Sequence, residues 1–459
     1  MVIATLFIAL AVLIVIGAPI AVCIGFAPIA ALVADGQTSQ LFVAAQRMVT
    51  ALDSTVLVAI PLFVLAGVVM GKGGISKQIV NLCYELFGWM PGSLGVVTVI
   101  ACMFFAAISG SAPATVAAIG GILIPQMIDD GYPAGFSAAL AASGGIIGCI
   151  IPPSIPFVNY ALITGESVSD LFAAGVVPGI LMGIVLCIWT VIMASKYGWG
   201  SRKKGISLRG VWRAFYKAIW AILMPVIILG GIYSGKFTPT EAAAVAAVYG
   251  TIVSLFIYRG IKFSDLLDLG FEAVRTSCMI MFICATANIF SFVVTRQQVP
   301  AKLSSLILGV TDNWVVILLI INVILLINGC FMETTASTYI YTPILFPLIS
   351  ALNYNPIQFG VVMVMNLTLG LITPPLGINL FVAQGVDRRV TFGAQVKQVM
   401  PMFFLLVIVL MLVTYIPSLS LCLIGGGTYN IIIALGILFI PSFARVVRGE
   451  FLLYRERDY

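Results

Sequence analysis

Apolar runs of close to twenty residues follow one another along nearly the whole chain, with few charges between them. Wound as helix, such a run matches the hydrocarbon thickness of a bilayer. Hydrophobic residues make up 61% of the 459 and charged residues 9%, too little polar surface to cover a water-soluble domain. The runs do not alternate polar and apolar residues, which argues against the short strands of a membrane barrel. The expected fold class is therefore an all-α polytopic membrane protein. The N-terminal "MVIATLFIALAVLIVIGAPIAV" lacks a basic leader and continues into further apolar sequence, so it reads as a first membrane segment and not a cleaved signal.

Composition removes several chemistries. The chain has no histidine, which excludes imidazole acid–base catalysis, histidine metal sites and Ser/His nucleophilic pairs. Its nine cysteines are scattered without a C-x-x-C pair and read as small packing residues. An enzyme is not expected. The excess of positive charge is concentrated in "SKYGWGSRKKGISLRGVWRAFYK" (Ser195 to Lys217), which contains no acid. A nucleic-acid patch is one explanation of that stretch. Its position between apolar spans favours a cytoplasmic loop held in place by its charge, with no nucleic-acid partner.

That loop divides the chain near its middle, and the halves share a pattern. "GGIIGCIIPPSIPFV" (Gly144 to Val158) and "NLTLGLITPPLGINLF" (Asn366 to Phe381) both contain G-x-x-x-P-P. A shift of 222 residues lays Gly148 on Gly370, Pro152 and Pro153 on Pro374 and Pro375, and Pro125 on Pro347. The same shift lays "SGSAPAT" (Ser109 to Thr115) on "FMETTAS" (Phe331 to Ser337). Two repeats follow, 1–195 and 217–423, joined by a basic connector at 196–216, with an atypical extra span and basic tail at 424–459. Each repeat is expected to run from a long span through a polar-tipped pair of apolar arms to a broken span and a closing long span. Either the tipped pairs are re-entrant hairpins or they are full spans with an outside loop. Their recurrence just before each broken span favours hairpins, since irregular backbone at membrane depth needs protein or a watered cavity around it. An odd number of crossings per repeat would make the repeats inverted, the pattern of secondary transporters.

Proline removes an amide donor and blocks the carbonyl four residues earlier from its usual partner, while glycine permits the unwound turn. The breaks should therefore free carbonyls around Gly148 and Ile151, and around Gly370 and Thr373. With the hydroxyls of Ser109, Ser111 and Thr373, and with Asn328, Gly329 and Thr334 at the second tip, they form oxygen nests suited to a hard cation such as sodium. An ordinary proline kink is the plainer explanation of one Pro, but two Pro-Pro pairs in register favour a functional break. Among the charges, Glu333 sits at a hairpin tip. Glu241 follows "TPT" and is best explained as a helix cap. Arg296 and Lys72 either flank the path of an anion or snorkel to the interface, the second being the simpler. Arg296, Thr334 and Asn366 are the candidate substrate contacts.

"GGIYSGKFTPTEAAAVAAVYG" (Gly230 to Gly250), "ISGSAPATVAAIGGILIPQM" and the two G-x-x-x-P-P breaks resemble the large membrane subunit of tripartite ATP-independent periplasmic (TRAP) transporters over residues 1–423. The resemblance implies an importer in the bacterial inner membrane, coupled to sodium, for organic anions of the dicarboxylate, keto acid or sialic acid class. It implies inverted repeats moving as an elevator, with no cofactor beyond Na+. The implied partners are a small four-helix membrane subunit, supplied separately, and a periplasmic substrate-binding protein. Carried over by motif, one sodium site comprises Ser109, Ser111, Gly148, Ile151 and Pro153, and the other Gly329, Gly370, Thr373 and Pro375. The tail "IIIALGILFIPSFARVVRGEFLLYRERDY" instead resembles a fragment of a peptide ABC permease, ending before the loop that would couple to an ATPase. An ABC-type permease subunit and an ion channel are the alternative functions.

Overall fold

The computed structural model describes residues 2–201, 205, 207–302, 309, 311, 313–374 and 376–423. Arg202, Lys203 and Lys204 of the connector, Pro375 and the tail 424–459 lie outside the described residues. The first half contains α1 (Val2–Val15), α2 (Ile20–Ala34), α3 (Gln40–Leu52), α4 (Thr55–Lys72) and α5 (Ile75–Phe87). A hairpin of α6 (Ser93–Ser109) and α7 (Ala112–Asp129) follows. After it come α8 (Ala134–Cys149), α9 (Ile155–Thr164) and α10 (Val168–Tyr197). The second half contains α11 (Leu208–Tyr233), α12 (Pro239–Ile257), α13 (Asp265–Arg296), α14 (Trp314–Gly329) and α15 (Thr334–Ala351). It closes with α16 (Pro356–Gly370), α17 (Ile378–Val386), α18 (Phe392–Tyr415) and a short α19 (Ser418–Leu421). No strand occurs among the described residues, and seven helices are long and apolar enough to cross a membrane. The chain is an all-α polytopic membrane protein.

Local signals explain many boundaries. Gly17, at φ +82°, and Pro19 split the first apolar segment, so a helix pair stands where one long span is expected. Thr238 opens α12 with a capping box: its hydroxyl accepts from the Glu241 amide, and the Glu241 carboxylate accepts from the Thr238 amide at 2.8 Å. Glu241 is thus a cap. Asn355 starts α16 in a similar way, its side-chain oxygen accepting from the Ile357 and Gln358 amides.

From the hairpins onward, helix boundaries recur 222 residues apart: α7 begins at Ala112 and α15 at Thr334, α8 at Ala134 and α16 at Pro356. Before the hairpins the halves diverge. A single 32-residue helix, α13, stands in register with α3 and α4, which part at Asp53 and Ser54. The halves also interlock reciprocally. α9 packs on α15 while α17 packs on α7, and α8 packs on α18 while α10 packs on α16. Contact in which each half gives what it receives is the mark of a two-fold relation. Polar bonds cross between the halves: Tyr160 Oη donates to the Pro356 carbonyl (2.7 Å), and Asn379 Nδ2 to the Ala142 carbonyl (3.2 Å).

Buried polar side chains join the helices of the second half. Asn366 Nδ2 donates to Asn322 Oδ1 at 2.7 Å, and Asn322 Nδ2 to Thr414 Oγ1 at 3.3 Å, tying α16 to α14 and α18. At the surface, Arg389 in the turn between α17 and α18 bridges Asp387 (2.7 Å) and Asp129 (2.6 Å) at the end of α7. Hydrogen bonds from the Arg389 side chain and amide hold the Asp387 carboxyl well below its usual range, at about 2.

Replacing Asn366 with leucine strands the buried Asn322 oxygen and is expected to lower stability by about 1–3 kcal/mol. The double change Asn322→Leu/Asn366→Leu should recover part of that loss, as read by thermal unfolding in detergent. For Asp387 the native pKa is depressed, so its stabilisation is full above about pH 4 and fades as pH falls through about 2. The melting-temperature difference between native protein and Asp387→Asn should therefore persist at pH 5 and vanish near pH 2.

Candidate functional site

Both hairpins end at one place. The first turns at Gly110 between α6 and α7, and the second at Cys330 to Glu333 between α14 and α15. Their tips border a single cavity of about 540 Å³, walled on another side by α4 and α13. The two tips therefore face one another across this cavity. Gly110 sits at φ +62°, and a Cβ there would lie 2.7 Å from the Pro153 carbonyl oxygen, so only glycine serves at this turn.

Opposite each tip, a helix is interrupted. α8 closes with the amides of Ile150 and Ile151 both donating to the Ile147 carbonyl (2.9 and 3.0 Å). The chain resumes as α9 at Ser154, whose hydroxyl accepts from the Phe157 amide and donates to the Cys149 carbonyl. Between them, no described group donates a hydrogen bond to the carbonyls of Ile151, Pro152 or Pro153. The tip of hairpin 1 covers this gap: the Ile155 amide donates to the Gly110 carbonyl, and the Ala112 amide to Cys149 Sγ at 3.2 Å. Ser109 Oγ lies 2.9 Å from Thr115 Oγ1, which donates to the Ser111 carbonyl at 2.8 Å. A Cβ on Gly148 would meet that hydroxyl at 2.5 Å and that carbonyl at 2.8 Å. Ser109, Ser111 and Gly148 thus meet around Thr115, and the Pro153 carbonyl lies against Gly110 of the same tip.

The second break has its own geometry. α16 ends in a tight turn with the Thr373 amide on the Gly370 carbonyl (3.0 Å), and the Asn379 amide of α17 reaches back to the Leu371 carbonyl (3.0 Å). The Gly370 carbonyl is therefore occupied, whereas those of Ile372, Thr373 and Pro374 receive no bond from a described group. Thr373 Oγ1 donates to the Leu369 carbonyl at 2.8 Å. Gly370 serves by close approach: a Cβ there would lie 2.1 Å from the Gly329 carbonyl carbon. Gly329, Gly370 and Thr373 are brought together; Pro375 lies outside the described residues.

The candidate substrate contacts separate. Thr334 borders the cavity, and its buried hydroxyl has no hydrogen-bond partner. Arg296 does not border it: it stands exposed at the end of α13, its guanidinium 6.0 Å from the Phe292 ring that Arg47 covers at 4.6 Å. Asn366 does not line the cavity either: it is buried, with its Nδ2 donating to Asn322 Oδ1 and to the Val362 carbonyl. Two residues at the site, Thr115, buried behind the first tip, and Glu272, were not among the site residues expected from the sequence. Thr115 ends the polar string of the first tip, and its hydroxyl was legible there. Glu272 on α13 pairs with Lys72 on α4, both at the cavity wall, and no spacing announces a pair 200 residues apart.

Doubled broken helices and hairpin tips around one cavity are the architecture of a membrane transport protein. The family is shown by comparison. Residues 7–419 match the model for the tripartite ATP-independent periplasmic transporter, DctM component, and the chain belongs to this family of inner-membrane permeases. It is 44% identical over 415 residues to the isethionate TRAP transporter permease protein DctMQ of Oleidesulfovibrio alaskensis, covering 90% of this chain and 65% of that longer protein. It is 44% identical to the C4-dicarboxylate TRAP transporter large permease protein DctM of Pseudomonas aeruginosa, covering 80% of this chain and 86% of that one. The 2,3-diketo-L-gulonate TRAP transporter large permease protein YiaN of Escherichia coli is 42% identical, with 82% and 88% covered. The crystal structure of the YdaH transporter of Alcanivorax borkumensis shares the fold at 14% identity, with a TM-score of 0.59 over 87% of this chain and 90% of that one.

The Gly329–Gly370 approach leaves no room for a methyl group, so Gly370→Ala should lower the melting temperature of the purified protein by several degrees. Gly385→Ala, where a Cβ would meet nothing within 4 Å, should leave it unchanged.

Proposed function

We propose that this chain is the large permease of a sodium-coupled importer of organic anions, receiving its substrate from a periplasmic binding protein. The observation that carries the reading is the doubled oxygen cluster. Two interrupted helices, each with carbonyls free of internal partners, stand against two hairpin tips around one cavity. A small hard cation is bound by such oxygens and released readily when no carboxylate holds it. Site 1 is assigned to Ser109, Ser111, Gly148, Ile151 and Pro153, joined by Thr115. Site 2 is assigned to Gly329, Gly370, Thr373 and Pro375.

The cargo sits in the cavity between the tips, with Thr334 as a contact. The relatives that transport isethionate, C4-dicarboxylates and diketogulonate support an organic anion as cargo. Hairpins and broken helices move together as an elevator against the remaining helices, which include α4 and α13. The repeats are inverted in the membrane, with the basic connector on the cytoplasmic face. A small four-helix membrane subunit completes the complex. Each sodium ion entering down about 100 mV supplies about 2.3 kcal/mol, so two ions drive a monoanion inward without ATP.

In proteoliposomes containing the complex and its binding protein, uptake should follow an imposed inward sodium gradient without ATP. Gly148→Leu and Thr373→Val should each raise the sodium concentration needed for half-maximal uptake by about tenfold. Undiminished uptake when potassium replaces sodium would overturn the assignment.

A further inference from the structure

The cavity is poor in fixed positive charge for a compartment that takes anions. Among the described residues its charged side chains are Lys72, Glu272 and Glu333, with no arginine. Lys72 is already matched by Glu272. Among the described lining residues that leaves the carboxylate of Glu333, at the tip of hairpin 2, without an opposite charge beside it. Its oxygen accepts from the amides of Thr335 (2.9 Å) and Ala336 (3.2 Å), the open N-terminal donors of α15. Those amides favour negative charge.

The fold does not require this charge. Ser111 stands in register with Glu333 at the other tip, and there α7 begins with no side-chain cap bond. The same turn is thus built once with a neutral side chain and once with an acid. A carboxylate at membrane depth is costly, and here it adjoins Thr334, whose buried hydroxyl lacks a partner and whose residue borders the cavity. An anion reaching Thr334 comes up against Glu333.

We infer that Glu333 determines the charge of the cargo, making this carrier select organic anions of one charge over those of two. The inference rests on the sodium-coupled anion reading above. With two sodium ions bound, Glu333 and a monoanion leave the moving parcel neutral. A dianion leaves it with an uncompensated negative charge inside a low-dielectric compartment, and places its second anionic group near the Glu333 carboxylate. Glu333 acts on the cargo by charge and as a cap on α15; it forms no covalent bond.

The test uses the full chain purified in detergent, with binding followed by thermal shift in sodium and in potassium. The probes are monoanions (lactate, pyruvate, 2-hydroxyethanesulfonate) and dianions (succinate, malate, 2-oxoglutarate). In sodium, native protein should be stabilised by a monoanion at concentrations about tenfold below any dianion. Glu333→Gln keeps an oxygen acceptor for the two amides but removes the charge, and should abolish that preference. Glu333→Asp, which keeps the charge, should retain it and control for loss of the cap. A native preference for a dianion, or an unchanged preference in a folded Glu333→Gln protein, would overturn the inference while leaving sodium coupling intact. Stabilisation by no anion of either class in sodium would overturn the anion-transport reading and the inference with it.

Discussion

Backbone amides and carbonyls have no water to turn to inside a bilayer, and the rest of this molecule is arranged around that fact. Each Pro-Pro pair interrupts a helix where interruption is expensive, and each interruption is met by a hairpin tip. At the first, Gly110 and Ala112 donate to or accept from the ends of the break. At the second, Gly329 and Gly370 bring two backbones into contact. The tips cover most of the exposed backbone but leave a few carbonyls on each side uncommitted.

Covering a break also explains why the halves interlock. A short half-helix such as α9 makes its largest contact outside its own repeat. It packs on α15 of the other half, and α17 on α7 makes the matching contact. The cavity forms where the two tips approach one another, so neither half could build it alone.

Much of this was legible in the residues. The G-x-x-x-P-P pairs, the polar strings and their common offset located both breaks and both tips, because proline and glycine act locally through backbone geometry. Glu241 was legible for the same reason, its cap being contained within four residues. What could not be read was set by tertiary placement. Asn366 follows the second repeat's polar pattern closely, yet its side-chain partner is Asn322 on α14, which in turn bonds Thr414 on α18. Arg296 ends an apolar helix as a substrate contact would, but α13 carries it away from the cavity. Lys72 stood out in the sequence but its partner Glu272 did not, and the two meet only because α4 and α13 pack together. The Gly370 carbonyl, expected to be free, is held by the Thr373 amide, because the chain tightens its last turn before leaving the helix.

The Arg389 bridge joins the outer end of α7 to the turn just past α17. One guanidinium therefore yokes the first hairpin to the second interrupted helix, on the side of the protein away from the tips. This yoke is exposed, and bonds between exposed charges weaken as counterions crowd around them. The strength with which this yoke holds the two halves together is then set partly by the ionic strength of the solution bathing that face.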